Sequence, residues 1–310
     1  MITKSATRKN NCTLDGHFTK SARTAWGHVI KSLSGSRRVK LLLPAYIGFT
    51  EREGSGVFDP VSENKSDYSF YKVNSDLSVD LADFKKQLAD GVNLALVIHY
   101  FGFCRSDMAA LKQMCTDANA TLIEDCAHAF HLEASDSALG RIGDFSFYSL
   151  HKYIATESGG FLKVNNKKLE VPPIPPEDAA APEVMMQYAL TDFNAVKAIR
   201  RRNYAHYANL LAAVSQIEIM FALASEDAPQ TFAIRVKNSK REPLYFHLMQ
   251  RGMPTTALYY RLIDEIPASE YPESYSIAGD ILNLPVHQDT TVEDVEELCA
   301  AIIAFFEENT

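Results

Sequence analysis

Between Asn93 and Asp125 the chain passes through an apolar segment, a helical pattern and a second apolar segment, and this unit limits the possible folds more than any other stretch. Asn93-Leu-Ala-Leu-Val-Ile-His99 is short and continuously apolar, which suits a buried strand. Ser106 to Ala118 follows at helical spacing, with Ser106 as the expected cap and Asp107 in the first turn. Thr121-Leu-Ile-Glu-Asp125 then reads as a second strand. Two strands joined through a helix lie parallel with a right-handed crossover, because the helix carries the chain back to the end where the first strand began. Strands apolar on both faces need helices on both faces. The prediction is therefore an α/β fold with a large, mostly parallel α/β/α sheet.

The flanking segments extend that pattern. Thr19 to Leu33 has helical spacing ended by Gly35 and Ser36, and Val39 to Tyr46 reads as a buried strand closed by Pro44. Tyr68 to Val73 is expected as a strand, and Ser78 to Leu88 as a short helix opening near Asp80. Gly143 to Ser149 resembles a strand leading to Leu150-His-Lys152, and Ser158 to Val164 a turn with a return strand. Val171-Pro-Pro-Ile-Pro-Pro176 marks a linker. Beyond it lie one long helical pattern from Pro182 to about Val214, a strand at Thr231 to Val236, a helix at Pro243 to Gly252 and a final helix from Val292 to Phe306. With 310 residues, more than one minimal core needs, the expected division is a large α/β domain at 1–176 and a small α+β domain at 177–310.

Ligands of open parallel sheets bind beyond the carboxyl ends of the strands, where His99 and Asp125 lie. A carboxylate that closes an apolar strand is costly to bury unless it meets a cation. Lys152 follows a polar–aromatic strand and precedes Glu157-Ser-Gly-Gly160, whose glycines let the backbone come close to a ligand. Burial there lowers the pKa of an amine and favours the neutral nucleophile. Spacing alone leaves ordinary alternatives open: Asp125 as a cap or turn residue, and Lys152 as a solvated side chain.

Charge and cysteine usage remove several function classes. The formal net charge of −8 argues against binding a phosphate backbone. The basic clusters Ser36-Arg37-Arg38 and Arg200-Arg201-Arg202 are short and are expected to be solvated faces or carboxylate clamps. Five cysteines, at 12, 104, 115, 126 and 299, are odd in number and lack CxxC spacing. They fit a reducing compartment better than a disulfide framework or zinc site, and no metal is expected. Met1 to Asn11 has no apolar leader pattern, and no run of about 18 apolar residues occurs. The expectation is a cytoplasmic protein without membrane or nucleic-acid partners. No GxGxxG follows an expected strand, which argues against a dinucleotide-binding oxidoreductase.

Glu124-Asp-Cys-Ala-His128, Gly140-Arg-Ile-Gly-Asp-Phe-Ser-Phe-Tyr-Ser-Leu-His-Lys152 and Glu157-Ser-Gly-Gly160 together resemble the signature of the DegT/StrS-type aminotransferases. These are pyridoxal-phosphate (PLP) enzymes of fold type I, the aspartate-aminotransferase-like PLP-transferase fold, and act mostly on nucleotide-linked keto sugars. The likeness continues in chain order. Phe18 to Ala25 is similar to the family's phosphate-binding turn, Leu43-Pro-Ala-Tyr46 to its second strand, and Ile98-His-Tyr-Phe-Gly102 to the segment before the cofactor aspartate. Arg201-Arg-Asn-Tyr204, Gly252-Met-Pro254 and Leu282 to His287 resemble landmarks of its small domain.

Residue by residue, the resemblance implies Lys152 as Schiff-base lysine and general acid/base, Asp125 as partner of the pyridine nitrogen, and His128 beside the cofactor ring. Ser149 and the backbone amides of Ala22 and Arg23, at a helix N-terminus, would hold the phosphate. Tyr46 or Phe49 would stack on the ring, His99 and His287 would be structural or substrate-side, and Cys126 a small buried residue. The chain departs from the pattern in two places. Ala22 stands where most relatives have glycine, and the stretch from Gly160 to Arg200 is short and lacks the Asn-Tyr-Arg segment that reaches the partner subunit's cofactor phosphate.

The implied activity is amino transfer, with glutamate as donor and a nucleotide-linked keto sugar as acceptor, by a homodimer in polysaccharide or natural-product sugar biosynthesis. The alternatives are a shortened, catalytically idle relative that binds a sugar nucleotide or partner protein, and a PLP sugar dehydratase. Such dehydratases carry histidine in place of the lysine, so Lys152 favours transamination.

Overall fold

The apolar runs become strands of one seven-stranded sheet in this computed structural model, which describes residues 16–35, 38–49, 56–129 and 139–308. Met1 to Asn11, Cys12, Ser36 and Arg37 lie outside the described residues. In chain order the strands are β1 (Gly16–Thr19), β2 (Lys40–Pro44), β3 (Asp67–Tyr71), β4 (Leu94–Ile98), β5 (Thr121–Cys126), β6 (Phe145–Ser149) and β7 (Gly160–Val164). Their order across the sheet is β1-β7-β6-β5-β4-β2-β3. The five strands β2 to β6 pair in parallel, and β7 and β1 close one side antiparallel. Every residue of β4, β5 and β6 is buried. Each large aliphatic or aromatic side chain among them contributes about 1.5–3 kcal/mol by leaving water.

Helices α1 (Ala22–Ser34), α2 (Asp59–Glu63), α3 (Leu81–Leu88) and α4 (Met108–Asp117) belong to this part of the chain. The crossover from β4 through α4 to β5 is the predicted unit, with one correction at its cap. Asp107, not Ser106, caps α4 by accepting from the Ala110 amide at 2.9 Å, while the Ser106 hydroxyl accepts from the Val79 amide at 3.1 Å. A backbone donor from a remote loop takes the hydroxyl, and the next polar residue takes over the helix end.

The helical pattern predicted to run unbroken from 182 to 214 is two helices, α5 (Pro182–Leu190) and α6 (Phe193–Leu211). Thr191 is extended, and Asp192 caps α6 through the Ala195 amide at 3.0 Å. The break lets α5 lie back on the large sheet, where Val184 and Tyr188 pack with Cys126, Tyr148, Leu150 and Phe161.

After α6 come β8 (Ile217–Ile219), β9 (Thr231–Val236), α7 (Arg241–Gln250), α8 (Pro272–Asp280), β10 (Ile281–Pro285) and α9 (Val292–Glu308). The three strands form an antiparallel sheet in the order β10-β9-β8. Of these strands only β9 is expected from the sequence pattern. In α9, Val295, Leu298, Cys299, Ile302, Phe305 and Phe306 are buried at helical spacing, which seats it against α6 and α7. The segment entering β9 also rests on the large sheet. The Gln230 amide donates to the Phe101 carbonyl at 2.8 Å, and Gly102, at φ +98°, leaves no room for a Cβ, which would stand 2.6 Å from the Ala228 carbonyl oxygen.

Candidate active site

Asp125 and Lys152 come together at the carboxyl ends of β5 and β6. Parallel register sets Asp125 beside Ile98 on one side and Phe147 on the other, and β6 runs directly into a short helical turn, Leu150–Lys152. That turn is anchored by the Leu150 amide, which donates to the Gly159 carbonyl at 2.9 Å. Asp125 is 2% exposed, and its Oδ1 accepts from the Ala127 amide at 2.8 Å. Burial pushes its carboxyl up to about 6, against the opposing pull of the Ala127 amide and the charges of Lys152 and His99. Burial brings the Lys152 amine down to about 8, with the Asp125 charge acting the other way.

A consequence is measurable in the protein without ligand. The rate at which Lys152 captures an aldehyde, taken as the difference from Lys152→Ala, is expected to rise about tenfold per pH unit up to about pH 8 and then level off. A rise that continues past pH 10 would mean a lysine in water.

The start of α1 and Ser149 are neighbours through one glycine. Gly160 pairs with Ser149 in the sheet, and a Cβ on Gly160 would fall 2.2 Å from the Ser21 carbonyl carbon and 2.5 Å from the Ala22 nitrogen. Backbone cannot yield there, so Gly160→Ala is expected to cost at least about 1–3 kcal/mol in urea unfolding. Ser21 caps α1 through the Thr24 amide at 3.1 Å, and no acidic residue occupies the first turn. The helix end is thus positive and free to meet an anion. Ala22 is an ordinary first helical residue, a conformation that needs no glycine. The Arg23 guanidinium pairs with Asp59 at 2.8 Å. Ser149 is 5% exposed, and its hydroxyl lies 3.3 Å from His151 Nδ1.

An aromatic wall surrounds His128. Its ring stacks on Phe101 at 5.7 Å and meets the Tyr259 ring edge-on at 5.6 Å, and its Nδ1 accepts from the Phe101 amide. Burial and the Lys152 charge hold its pKa well below the usual histidine range, so the ring is neutral at pH 7. Tyr46 is fully buried, 5.4 Å from both Tyr100 and Tyr259, so it joins His128 through Tyr259. Phe49 lies under the Arg261 guanidinium at 4.3 Å.

Several contributors were not assigned from sequence. Glu124 accepts from the amides of Ile142 (2.8 Å), Gly143 (2.6 Å) and Gly140 (2.8 Å) and pairs with His99 Nε2 at 2.8 Å. It therefore shapes the turn that feeds β6. The ligand atoms of His99, Glu124 and Cys126 lie within 4.8 Å of one another, but each carboxylate oxygen already takes part in two hydrogen bonds, so the trio is a buried ion pair beside a thiol.

A cleft of about 310 Å³ is lined by Lys152, Arg200, Gln230, Thr231, Thr255 and His287 among others, and none of the described residues on its walls is a carboxylate. Arg200 corrects the expectation of a solvated face or carboxylate clamp: it is 2% exposed and bonded to neutral acceptors. The period of α6 carried the signal, since Val196, Arg200, Asn203, Tyr204, Tyr207 and Leu211 fall on one buried stripe. Gln230 and Thr255 are separated in sequence and carried none.

The model of the DegT/DnrJ/EryC1/StrS aminotransferase family matches residues 59–171 and 182–303. GDP-perosamine synthase of Escherichia coli O157:H7 is 28% identical over 98 residues, 31% of this chain and 27% of that protein. Alignments to the curated relatives span between 20% and 27% of those proteins' length. Among solved structures, the aminotransferase TlmJ from Streptoalloteichus hindustanus matches with a TM-score of 0.81 over 95% of this chain and 86% of its own, at 18% identity. Spr1654 from Streptococcus pneumoniae, in its PLP form, matches with a TM-score of 0.78 over 94% and 87%, at 15% identity. These likenesses establish the fold.

Proposed function

This chain belongs to the DegT/DnrJ/EryC1/StrS aminotransferase family and has the fold of PLP-dependent aminotransferases, and on that premise we propose that it binds PLP and moves an amino group from glutamate to a nucleotide-linked keto sugar. The observation that carries this is the pair at the ends of β5 and β6: a buried carboxylate, Asp125, and a half-buried amine, Lys152, whose charges act on each other.

The donor set fits the cofactor. Asp125 is the carboxylate for a pyridine nitrogen, Lys152 the amine for an aldehyde, and Ser149 with the first amides of α1 the hydroxyl and helix end for a phosphate. PLP held by these residues would supply an electron sink for the substrate. With its pKa near 6, Asp125 is ionised at neutral pH and would hold a proton on the pyridine nitrogen of the bound cofactor. Lys152 Nζ is neutral in a useful fraction of molecules near pH 8 and moves the proton from the substrate carbon. Neutral His128 is held by the Phe101 amide at its ring and by the Tyr153 hydroxyl at its carbonyl, and with Tyr259 it excludes water from one side of the site. The cleft without carboxylates suits anionic substrates such as an amino acid or a sugar nucleotide.

In this proposal residues 1–176 hold the cofactor, 177–310 close the cleft, and two copies of the chain assemble in the cytoplasm for polysaccharide or natural-product sugar synthesis. Its support is the family and the four free cysteines among the described residues. No helix among the described residues is long and apolar enough to cross a membrane.

The test is the visible absorption of protein purified with PLP, before and after glutamate. A lysine-bound cofactor band that glutamate converts, with release of an equal amount of 2-oxoglutarate, is the expected result. Folded protein that shows no band with excess PLP would overturn the proposal.

A further inference from the structure

We propose that Arg200, together with Gln288, is a positioning residue that holds the Lys152 backbone so that the amine stays in its desolvated place; this rests on Lys152 being the reactive amine. A guanidinium taken out of water is costly and is ordinarily repaid by a carboxylate. Among the described residues Arg200 has only neutral hydrogen-bond acceptors. Its Nη2 donates to the Lys152 carbonyl at 2.7 Å, its Nη1 to the carbonyls of Pro229 and Gln230 at 3.3 Å, and its Nε to Gln288 Oε1 at 3.0 Å. Its flat face covers the Tyr153 ring at 4.3 Å.

Gln288 completes the arrangement, since its Nε2 donates to the Tyr153 carbonyl at 2.9 Å. Two consecutive carbonyls at the end of the Lys152 turn are thus held from α6 and from the segment between β10 and α9, and the two holders are bonded to each other. Tyr153 carries the constraint onward, because its hydroxyl donates to the His128 carbonyl at 2.5 Å. A rigid guanidinium fork reaches three segments at once, which a lysine cannot do. The arrangement sets where the Lys152 side chain starts, and burial of that side chain is what lowers its pKa. Loosening it lets the amine meet water and regain the proton.

The experiment measures the rate of PLP capture by cofactor-free protein across pH, for wild type, Arg200→Lys, Arg200→Met and Gln288→Ala, beside thermal melting of each. Wild type is expected to show a midpoint near pH 8. Arg200→Met should move that midpoint up by about one pH unit, with about tenfold slower capture at neutral pH. Gln288→Ala, which keeps the Arg200 charge, should move it the same way by less, and Arg200→Lys should recover part of the loss. If Arg200→Met does not fold, Gln288→Ala and Arg200→Lys decide. Folded variants that keep the wild-type midpoint and capture rate while melting lower would make Arg200 a structural clamp alone and overturn the inference. Wild-type protein that captures no PLP would overturn the proposed function, and this inference with it.

Discussion

Lys152→Ala is expected to lower amino transfer at least about a thousandfold while leaving the protein folded. The substitution removes the amine at the end of β6 that burial brings to a pKa near 8, and with it the group proposed to bond the cofactor and carry the proton. It has a second effect on the same site. The Lys152 charge is one of the influences that hold the Asp125 carboxyl down, so without it the carboxyl rises further above about 6 and is more often protonated at neutral pH. Stability should change little, because removing a desolvated amine also removes the cost of its burial. Lys152→Arg should not rescue, since a guanidinium does not become a neutral nucleophile at accessible pH. Single-turnover amine transfer, with circular dichroism melting of each variant, checks this. A Lys152→Ala enzyme within tenfold of wild type would assign the chemistry elsewhere.

The largest loss of stability is expected at the neighbouring carboxylate. Glu124→Ala should cost about 3–5 kcal/mol in urea unfolding, because it leaves a buried histidine cation and three backbone amides without their acceptor. Burial raises the Glu124 carboxyl, but the His99 hydrogen bond and charge and the amides of Gly143 and Gly140 outweigh it, and the pKa is lowered overall. Burial lowers His99, and the Cys104 sulfur and Glu124 facing it reverse that, so its pKa is raised. The stability that Glu124 contributes is present above its ordinary value of 4.5 and is lost as pH falls below it. The His99 share is present below 6.5 and is lost as pH rises toward about 10. The difference between wild type and Glu124→Ala should therefore be greatest between these two ordinary values and shrink on both sides. A difference that does not vary with pH would mean that the pair is not ionic in the fold.

Much of the frame was determined by local pattern. Apolar runs of strand length around a helix at 93–125 require a parallel sheet, because no other arrangement buries both faces and returns the chain at that length. The same runs place His99 and Asp125 at the carboxyl ends of β4 and β5, and the order of Asp125, Ser149, Lys152 and Gly160 along the chain is the order in which the strands deliver them.

What only the tertiary structure decided depends on partners remote in sequence. Ser106 and Asp107 are equally good caps on paper, and the Val79 amide chose between them. The pattern at 182–214 broke where Asp192 found a helix end to cap, which turned α5 onto the large sheet. β8, of three residues, and β10, of five, form a sheet through their pairing with β9, which lies between them. Arg200 sits in a basic triplet that reads as surface, yet three segments from other parts of the chain supply its acceptors and keep it dry. Local sequence set the periodicity of each element and the chemistry it carries. Hydrogen bonding and burial between elements, which act across tens to hundreds of residues, decided which polar groups were desolvated and hence what they can do.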